Sequence, residues 1–371
     1  MADEAENRGS FEVQAGFCDA MAAPITALVS RALGKALDRT SASGRAVLDW
    51  PGEPVADAIV LRLIGGFHAL HRRGADAALS RVFAGEVTEA EEAQRILAEA
   101  TRRHDGELLP WLDGPPQTNE AGRSAGLMTG ILHLARRFGP AVEVLEIGSS
   151  AGMNLLIDRF RFDLGGVAVG PADSPVLIKP EWRGPPPPDA PLAIRSVRGV
   201  DIQPLDATDP AQADRLMSYI WVENDARQAR MAACIAMIRE QPVALSGGDA
   251  ADWVEAQLLT GQAPGTTRVL MHSVVWQYLP QSGRDRIAAA MAAAGAKATA
   301  ERRLGWVMME PNRDLHRHEV RVQGWDGQGE APMELVALAH AHGTWIQALE
   351  PPYATVPYAM RPYAMRPYAR P

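Results

Sequence analysis

Apolar side chains in the first third of the chain recur every three or four residues. Met21, Ile25, Leu28, Val29, Leu33 and Leu37 share one helical face, and so do Ile59, Leu63, Phe67 and Leu70. Ile96, and then Leu127, Ile131 and Leu134, continue the period on separate segments. Turn-forming residues interrupt it at Trp50-Pro-Gly-Glu-Pro54 and at Gly114-Pro-Pro116. Strand-like alternation is almost absent. The pattern predicts helices from residue 11 onward and an α-helical N-terminal domain over residues 1–138.

The rhythm changes at Pro140. Residues 142–147 form a short apolar, β-branched run that stops at Gly148, and a helix-compatible stretch follows over 153–159. Further strand-like runs lie at 197–202, 243–245, 269–275, 306–309, 319–324 and 335–340. Helical stretches at 210–220, 225–240, 250–260 and 283–294 separate several of them. Strands alternating with helices predict an α/β domain over 139–350, with a largely parallel sheet and helices on both faces. The prolines at 185–188 predict an extended, solvent-facing loop. Residues 351–371 repeat a five-residue unit, PYATV-PYAMR-PYAMR-PYARP. Proline at every fifth position forbids helix, so this segment reads as a disordered or polyproline-like tail. It is either a ligand for an aromatic-lined groove or a tandem expansion without a role, and the second is the simpler reading.

Composition narrows the function classes. Of 371 residues, 47% are hydrophobic and 22% charged, within the globular range. A net charge of −8 argues against a surface built for nucleic acid. Lys35, Lys179 and Lys297 are the only lysines, so imine chemistry would have to use one of them. Cys18 and Cys234 are too few and too far apart for a disulfide framework or a zinc site. The polar, acidic start is unlike a secretory signal, and no run approaches the ~18 apolar residues of a spanning helix. These features lead to the expectation of a cytoplasmic protein with a small-molecule substrate and neither nucleic acid nor membrane as partner. The oligomeric state is open.

Candidate chemistry concentrates at Val144-Leu-Glu-Ile-Gly-Ser-Ser-Ala-Gly-Met-Asn-Leu155. A buried strand ends in a turn with Gly148 and Gly152 four apart. Glycine lets the backbone approach a ligand closely, and a helix opening behind the turn would point free N–H groups at it. The dinucleotide fingerprint G-x-G-x-x-G fails, because Ser150 and Met153 stand where glycines are needed. The hydrolase elbow G-x-S-x-G fits Gly148 to Gly152 literally, with Ser150 as nucleophile and His340 or His342 last in the chain order. A tight strand–helix turn that holds nothing is the plain alternative.

Three downstream segments favour another reading. Val197-Arg-Gly-Val-Asp-Ile-Gln-Pro204 is a strand ending in an acid, Ala244-Leu-Ser-Gly-Gly-Asp-Ala250 carries a G-D-A step, and Arg268 to Pro280 runs from a strand into an aromatic turn. With the acidic-x-G-x-x-x-G register of Glu146, Gly148 and Gly152, the order over residues 140–347 resembles class I S-adenosylmethionine-dependent methyltransferases. More narrowly, it looks like an uncharacterised bacterial family of that superfamily, marked by a Q-T-N-E-x-G-R segment, here Gln117 to Arg123, and by an H-x-H-G, here His340 to Gly343.

The resemblance implies a Rossmann-like methyltransferase-type sheet and S-adenosylmethionine as cofactor. It implies that Glu146, Gly148, Ser149, Ser150, Gly152 and Asn154 line the cofactor's methionine end. Asp201 would accept from the ribose hydroxyls, Asp249 from the adenine amino group, and the Ala250 N–H would meet a ring nitrogen. Asn119, Glu120 and Arg123 would reach over the turn as a lid or acceptor site. His272 would be the base that takes a proton from the acceptor, with Tyr278 and Trp276 just beyond it; a hydrogen-bonded core histidine among packing aromatics is the alternative. Residues 160–195 would be an insertion, and the long gap from Asp201 to Asp249 would hold extra helices. The paired imidazoles His316/His318 and His340/His342 lack carboxylates or thiols at firm spacing, so no metal is expected. Serine hydrolysis through Ser150, and a non-catalytic protein that keeps the fold for binding, are the other two readings.

Overall fold

The structure, a computed structural model of the whole chain, describes residues 3–114, 116–312, 315, 317–329 and 332–355. It divides into two compact units, Met1–Thr118 with Ala207–Ala232, and Asn119–Asp206 with Ala233–Pro371.

The first unit is helical. It contains α1 (Glu4–Ala20), α2 (Pro24–Ala36), α3 (Ala42–Leu48), α4 (Ile59–Arg72), α5 (Ala77–Phe83), α6 (Ala90–Arg103) and the short α7 (Asp105–Leu108). Asp3 opens α1 with a capping box closed by Glu6, so helix begins seven residues before the predicted start at residue 11. Most of the periodic positions bury together: Leu33, Leu37, Leu63, Phe67, Leu70 and Ile96 belong to one core, whereas Met21 caps the end of α1 and is exposed, so it does not share their face.

Two boundaries differ from the expectation. Helix α8 (Ser124–Phe138) belongs to the second unit, because Gly126 and Gly130 let it lie flush on the sheet. A Cβ at Gly130 would stand 2.4 Å from Val307 Cγ1, and one at Gly126 2.9 Å from Met309 Sδ. The gap from Asp201 to Asp249 holds the extra helices expected there, α9 (Pro210–Ser218) and α10 (Asp225–Glu240), but α9 and the start of α10 count with the first unit. The Trp111 and Tyr219 rings meet edge to face at 5.5 Å, and the Ser218 carbonyl lies 3.0 Å from His68 Nδ1.

His68 is buried, and burial pulls its imidazole down to about 4. An unfolded chain binds that proton near pH 6.5, so stability is lost as pH falls from about 6.5 towards 4, by up to about 3 kcal/mol. Urea unfolding of the wild type should become easier across that window, and His68→Phe should flatten the slope. An unchanged slope in the variant would show that other groups carry it.

The second unit is built on a mixed, mostly parallel sheet. Its strands are β1 (Ala141–Ile147), β2 (Arg161–Leu164), β3 (Val167–Val169), β4 (Leu177–Ile178), β5 (Glu181–Arg183), β6 (Ala193–Asp201), β7 (Ala244–Gly247), β8 (Thr266–Ser273), β9 (Arg302–Asn312), β10 (Arg317–Trp325), β11 (Glu334–Ala339), β12 (Trp345–Ala348) and β13 (Ala354–Thr355). Among the described residues the main sheet has ten strands in the order β5-β12-β11-β10-β9-β8-β1-β6-β7, with β13 on β11. From β7 to β9 neighbouring strands run parallel. Beyond β9 the sheet continues antiparallel through β10 and β11 to β12.

Helices α11 (Ala250–Leu259) and α12 (Gln281–Gly295) cover one face over a core of Leu145, Ile147, Leu270, Trp306 and Met308. The 160–195 segment contains no helix among its described residues: β3, β2 and β4 form a small sheet, and β5 joins the far edge of the main sheet beside β12. Pro187 in the proline loop is buried, against the solvent-facing expectation. The expected tail is ordered at its start, where Ala354–Thr355 pair with Glu334 and Leu335 and the Tyr353 ring meets His133. The rest of the repeat, residues 356–371, lies outside the described residues, as does His316. No helix among the described residues is long and apolar enough to cross a membrane.

Candidate functional site

Parallel strands aligned side by side bring their carboxyl ends to one edge, where open α/β sheets take ligands. Here that edge gathers Glu146 and the glycine turn from β1, Asp201 from β6, and Ser273 with its following turn from β8.

The turn is left-handed at Gly148 (φ 69°), Ser150 (φ 55°) and Gly152 (φ 81°). Asp201 holds it in place: its Oδ2 accepts from the Ser150 N–H at 2.7 Å and its Oδ1 from the Gln203 N–H at 2.9 Å. The Ser149 N–H bonds the Val200 carbonyl at 3.1 Å. Asn119 closes the far side, its Oδ1 accepting from the Met153 N–H at 2.9 Å. The segment behind the turn is not the expected helix. It is one 3₁₀ turn, Met153–Leu156, after which the chain enters β2. No helix dipole therefore points into the turn from behind it, so the free N–H groups expected there for a bound ligand, in the elbow reading as in the others, are not supplied by a helix start.

Below the turn lies a buried polar chain. Glu146 is 1% exposed, and its Oε1 accepts from Asn154 Nδ2 at 3.1 Å. Asn154 Oδ1 accepts from Ser124 Oγ at 2.9 Å, and its Nδ2 reaches Ser273 Oγ at 3.5 Å. Glu146 Oε2 is buried without a hydrogen-bond partner. Loss of solvent pushes the Glu146 carboxyl up to about 7; the Asp201 charge adds to this, while hydrogen bonding from the Ser149 and Asn154 side chains and the Arg123 charge oppose it.

The two marker segments meet. Glu120 Oε1 accepts from the Gly122 N–H at 2.8 Å and caps the 3₁₀ turn Ala121–Arg123. Arg123 Nε donates to the Ala341 carbonyl at 3.0 Å, inside the H-x-H-G segment. Asn119, Glu120 and Arg123 are all buried, so they form part of the site's wall rather than an open lid. His318 on β10 is pulled down to about 4 by burial, then by the Arg123 charge and by His340. The His342 N–H donates to His340 Nδ1 at 3.2 Å. Among the described residues no three His, Cys, Asp or Glu side chains gather as a metal site.

The expected catalytic group is enclosed. His272 is 0% exposed, stacked on Trp276 at 4.9 Å, and held through Nδ1 by Glu310 Oε1 at 2.7 Å. Trp276 is itself 1% exposed, a core residue and not the lining of an open pocket. Tyr278, at 71% exposure, stands out from the turn. Asp249 caps α11, its Oδ1 accepting from the Ala251 and Asp252 N–H groups at 2.9 and 3.0 Å, with Ala250 as the first helical residue.

Two residues at this edge were not singled out in the sequence. Glu310 ends the apolar run of β9 and takes the Val275 and Trp276 N–H groups on the same oxygen that holds His272, at 3.1 and 3.3 Å. Val275 covers the glycine turn: a Cβ at Gly148 would fall 2.3 Å from its Cγ2. An acid near the carboxyl end of a buried apolar run was a usable signal for Glu310, as it was for Glu146. Nothing in the local pattern marks Val275, which continues the apolar run of β8.

No curated protein matches the chain. A family model described as an uncharacterized protein conserved in bacteria matches residues 8–348, spanning all of the glycine turn, both marker segments and the strands that carry them. The chain belongs to that bacterial family, DUF2332.

Proposed function

We propose that the chain is an S-adenosylmethionine-dependent methyltransferase acting on a small acceptor, with the cofactor in the crevice at the carboxyl ends of β1 and β6. One observation carries the reading. The order β7-β6-β1-β8-β9 sets a glycine turn, a buried strand-end acid and a second strand-end acid side by side at the ligand edge of a parallel run.

The residues present fit the cofactor in three places. Glu146 Oε2, buried and unpartnered, suits a cationic group. Asp201 spends one bond per oxygen on the backbone, which leaves lone pairs for ribose hydroxyls. Asp249 caps its helix through Oδ1 alone. Bound there, the cofactor would supply a methyl group already activated on sulfur. The chain's own work is then alignment: Asp201 and the Ser149–Ser150 backbone fix the turn, while Asn119 and Arg123 wall it. His272 supports the β8 turn from beneath. Tyr278, on the exposed rim, is the better-placed group to meet an acceptor.

Val275 favours a second reading, a non-catalytic protein that keeps the fold. Its side chain packs into the space beside Gly148 that a ligand would use. Calorimetric titration with S-adenosylmethionine and S-adenosylhomocysteine separates the two. Saturable binding is expected, and Asp201→Asn, which keeps an oxygen for the turn, should weaken it by about tenfold, or 1.4 kcal/mol. No heat at millimolar ligand would reject the methyltransferase reading. Unchanged affinity in Asp201→Asn would move the ribose elsewhere.

A further inference from the structure

A second corner of the same sheet edge gathers basic side chains. The carboxyl ends of β9 and β11 flank the start of β10, so His318 lies opposite Pro311 on one side and Ala339 on the other. His340 and His342 follow β11 directly, their rings 5.5 Å apart. Arg123 is tied to this loop through the Ala341 carbonyl. Gly343, at φ 67°, lets the loop press on the turn that carries Arg123, and a Cβ there would stand 2.0 Å from the Gly122 carbonyl oxygen. Backbone contacts thus fix one guanidinium and three imidazoles in one corner.

His318 is the open member of the group. Its ring is half-buried, yet no hydrogen bond to a described residue holds it, and its nitrogens reach solvent. Burial, then the Arg123 charge and His340, keep it neutral. Among the described residues the titratable groups around it are Glu120 and Arg123 before α8, His340 and His342 after β11, Glu310 on β9, and Arg317 and Glu319 on its own strand. The acids are engaged: Glu120 by the Gly122 N–H, Glu310 by His272, and Glu319 by Asn312 and Arg321. The two neighbours that act on the charge of the ring are both basic.

We propose that this corner is an anion site: a carboxylate or phosphate group of a ligand docks against His318 and Arg123, and His318 takes a proton from solvent as it does so. The balance is simple. A buffer proton forms the new N–H bond on His318, and that N–H donates to an oxygen of the anion, which stays ionised. An opposite charge beside the ring favours its protonated form by about 1–3 pH units. Naming this ligand as the methyl acceptor rests on the methyltransferase reading; the anion site itself does not.

Histidine-ring NMR of the full chain tests the site, with the His318 signal assigned from His318→Gln. Sulfate stands in for phosphate and acetate for carboxylate, each at tens of millimolar. At least one should raise the His318 midpoint by about 1–3 units from about 4, and sodium chloride at matched ionic strength should not. A response to one probe alone assigns that group, and a response to both assigns the chemistry they share. Affinity for sulfate, if it responds, should rise several-fold as pH falls from about 7 towards 5 in the wild type and not in His318→Gln. Arg123→Gln should lose the anion; retained binding would overturn its part. A His318 midpoint unmoved by either anion would overturn the proposal, and S-adenosylmethionine binding in the same sample would leave the cofactor reading intact. Anion binding without S-adenosylmethionine binding would support the site and remove its role for a methyl acceptor.

Discussion

Gly148→Ala is expected to cost roughly 2–6 kcal/mol of folding stability. An alanine held at positive φ is strained by about 1–3 kcal/mol, and the turn has φ 69° at this residue. The added methyl would also fall 2.3 Å from Val275 Cγ2, an overpacking that costs about 1–3 kcal/mol more. The two parts separate in a double-mutant cycle. Val275→Ala removes the closest contact, at Cγ2, but leaves the Val275 Cβ at 2.6 Å and the backbone strain, so the pair should recover only about 1 kcal/mol relative to additivity in urea unfolding. Strict additivity would mean that Val275 does not press on the turn. The same cycle read by ligand titration is informative, because Val275→Ala alone should open the space beside Gly148 and tighten binding.

Removing Glu310 should have a comparable effect. One carboxylate oxygen serves His272 Nδ1 and the N–H groups of Val275 and Trp276, so Glu310→Ala leaves two buried donors and one half-buried donor without their acceptor. Breaking such a buried cluster from one side costs about 3–5 kcal/mol. Glu310→Gln keeps the accepting oxygen and should lose only about 1 kcal/mol. The turn it ties down includes Val274 at φ 55°, a strained conformation for a β-branched residue that persists only while its surroundings enforce it. Loss of the clamp should therefore free Trp276, visible as a red shift and quenching of its fluorescence in Glu310→Ala and not in Glu310→Gln. Equal spectra for the two variants would assign the stability to packing alone.

The strands were legible where burial writes a long apolar run. β1, β6, β8, β9, β10 and β11 all fall on segments marked by their hydrophobic pattern. The short strands β2 to β5 and β12 were not, because two to four residues hold too little alternation to be distinguished from loop. Helix α8 shows how periodicity can be correct and still incomplete. Leu127, Ile131 and Leu134 announce a helix but not its partner. The pointer was Gly126 and Gly130, four apart on one face, which serve a close approach to Val307 and Met309.

In the site, the glycine turn and its acids were readable from chain order. The burial of His272 and Trp276 was not, since an aromatic beside a strand end looks the same whether it lines a pocket or fills a core. Asp249 shows a similar ambiguity. An acid before an apolar helix is also the signature of an N-cap, and here the cap is what the backbone uses.

The return of residues 207–232 to the helical unit has a consequence for synthesis. The first unit is completed only after β1 and β6 have already left the ribosome, so it cannot finish folding before the second has begun. A fragment cut at Thr118 would lack the Ser218 carbonyl that holds His68 and the Tyr219 ring that packs on Trp111. The chain crosses between the units three times, so one proteolytic nick does not release either as a covalently separate piece. Such a protein is made and degraded as a single folding transaction, not as two modules in series.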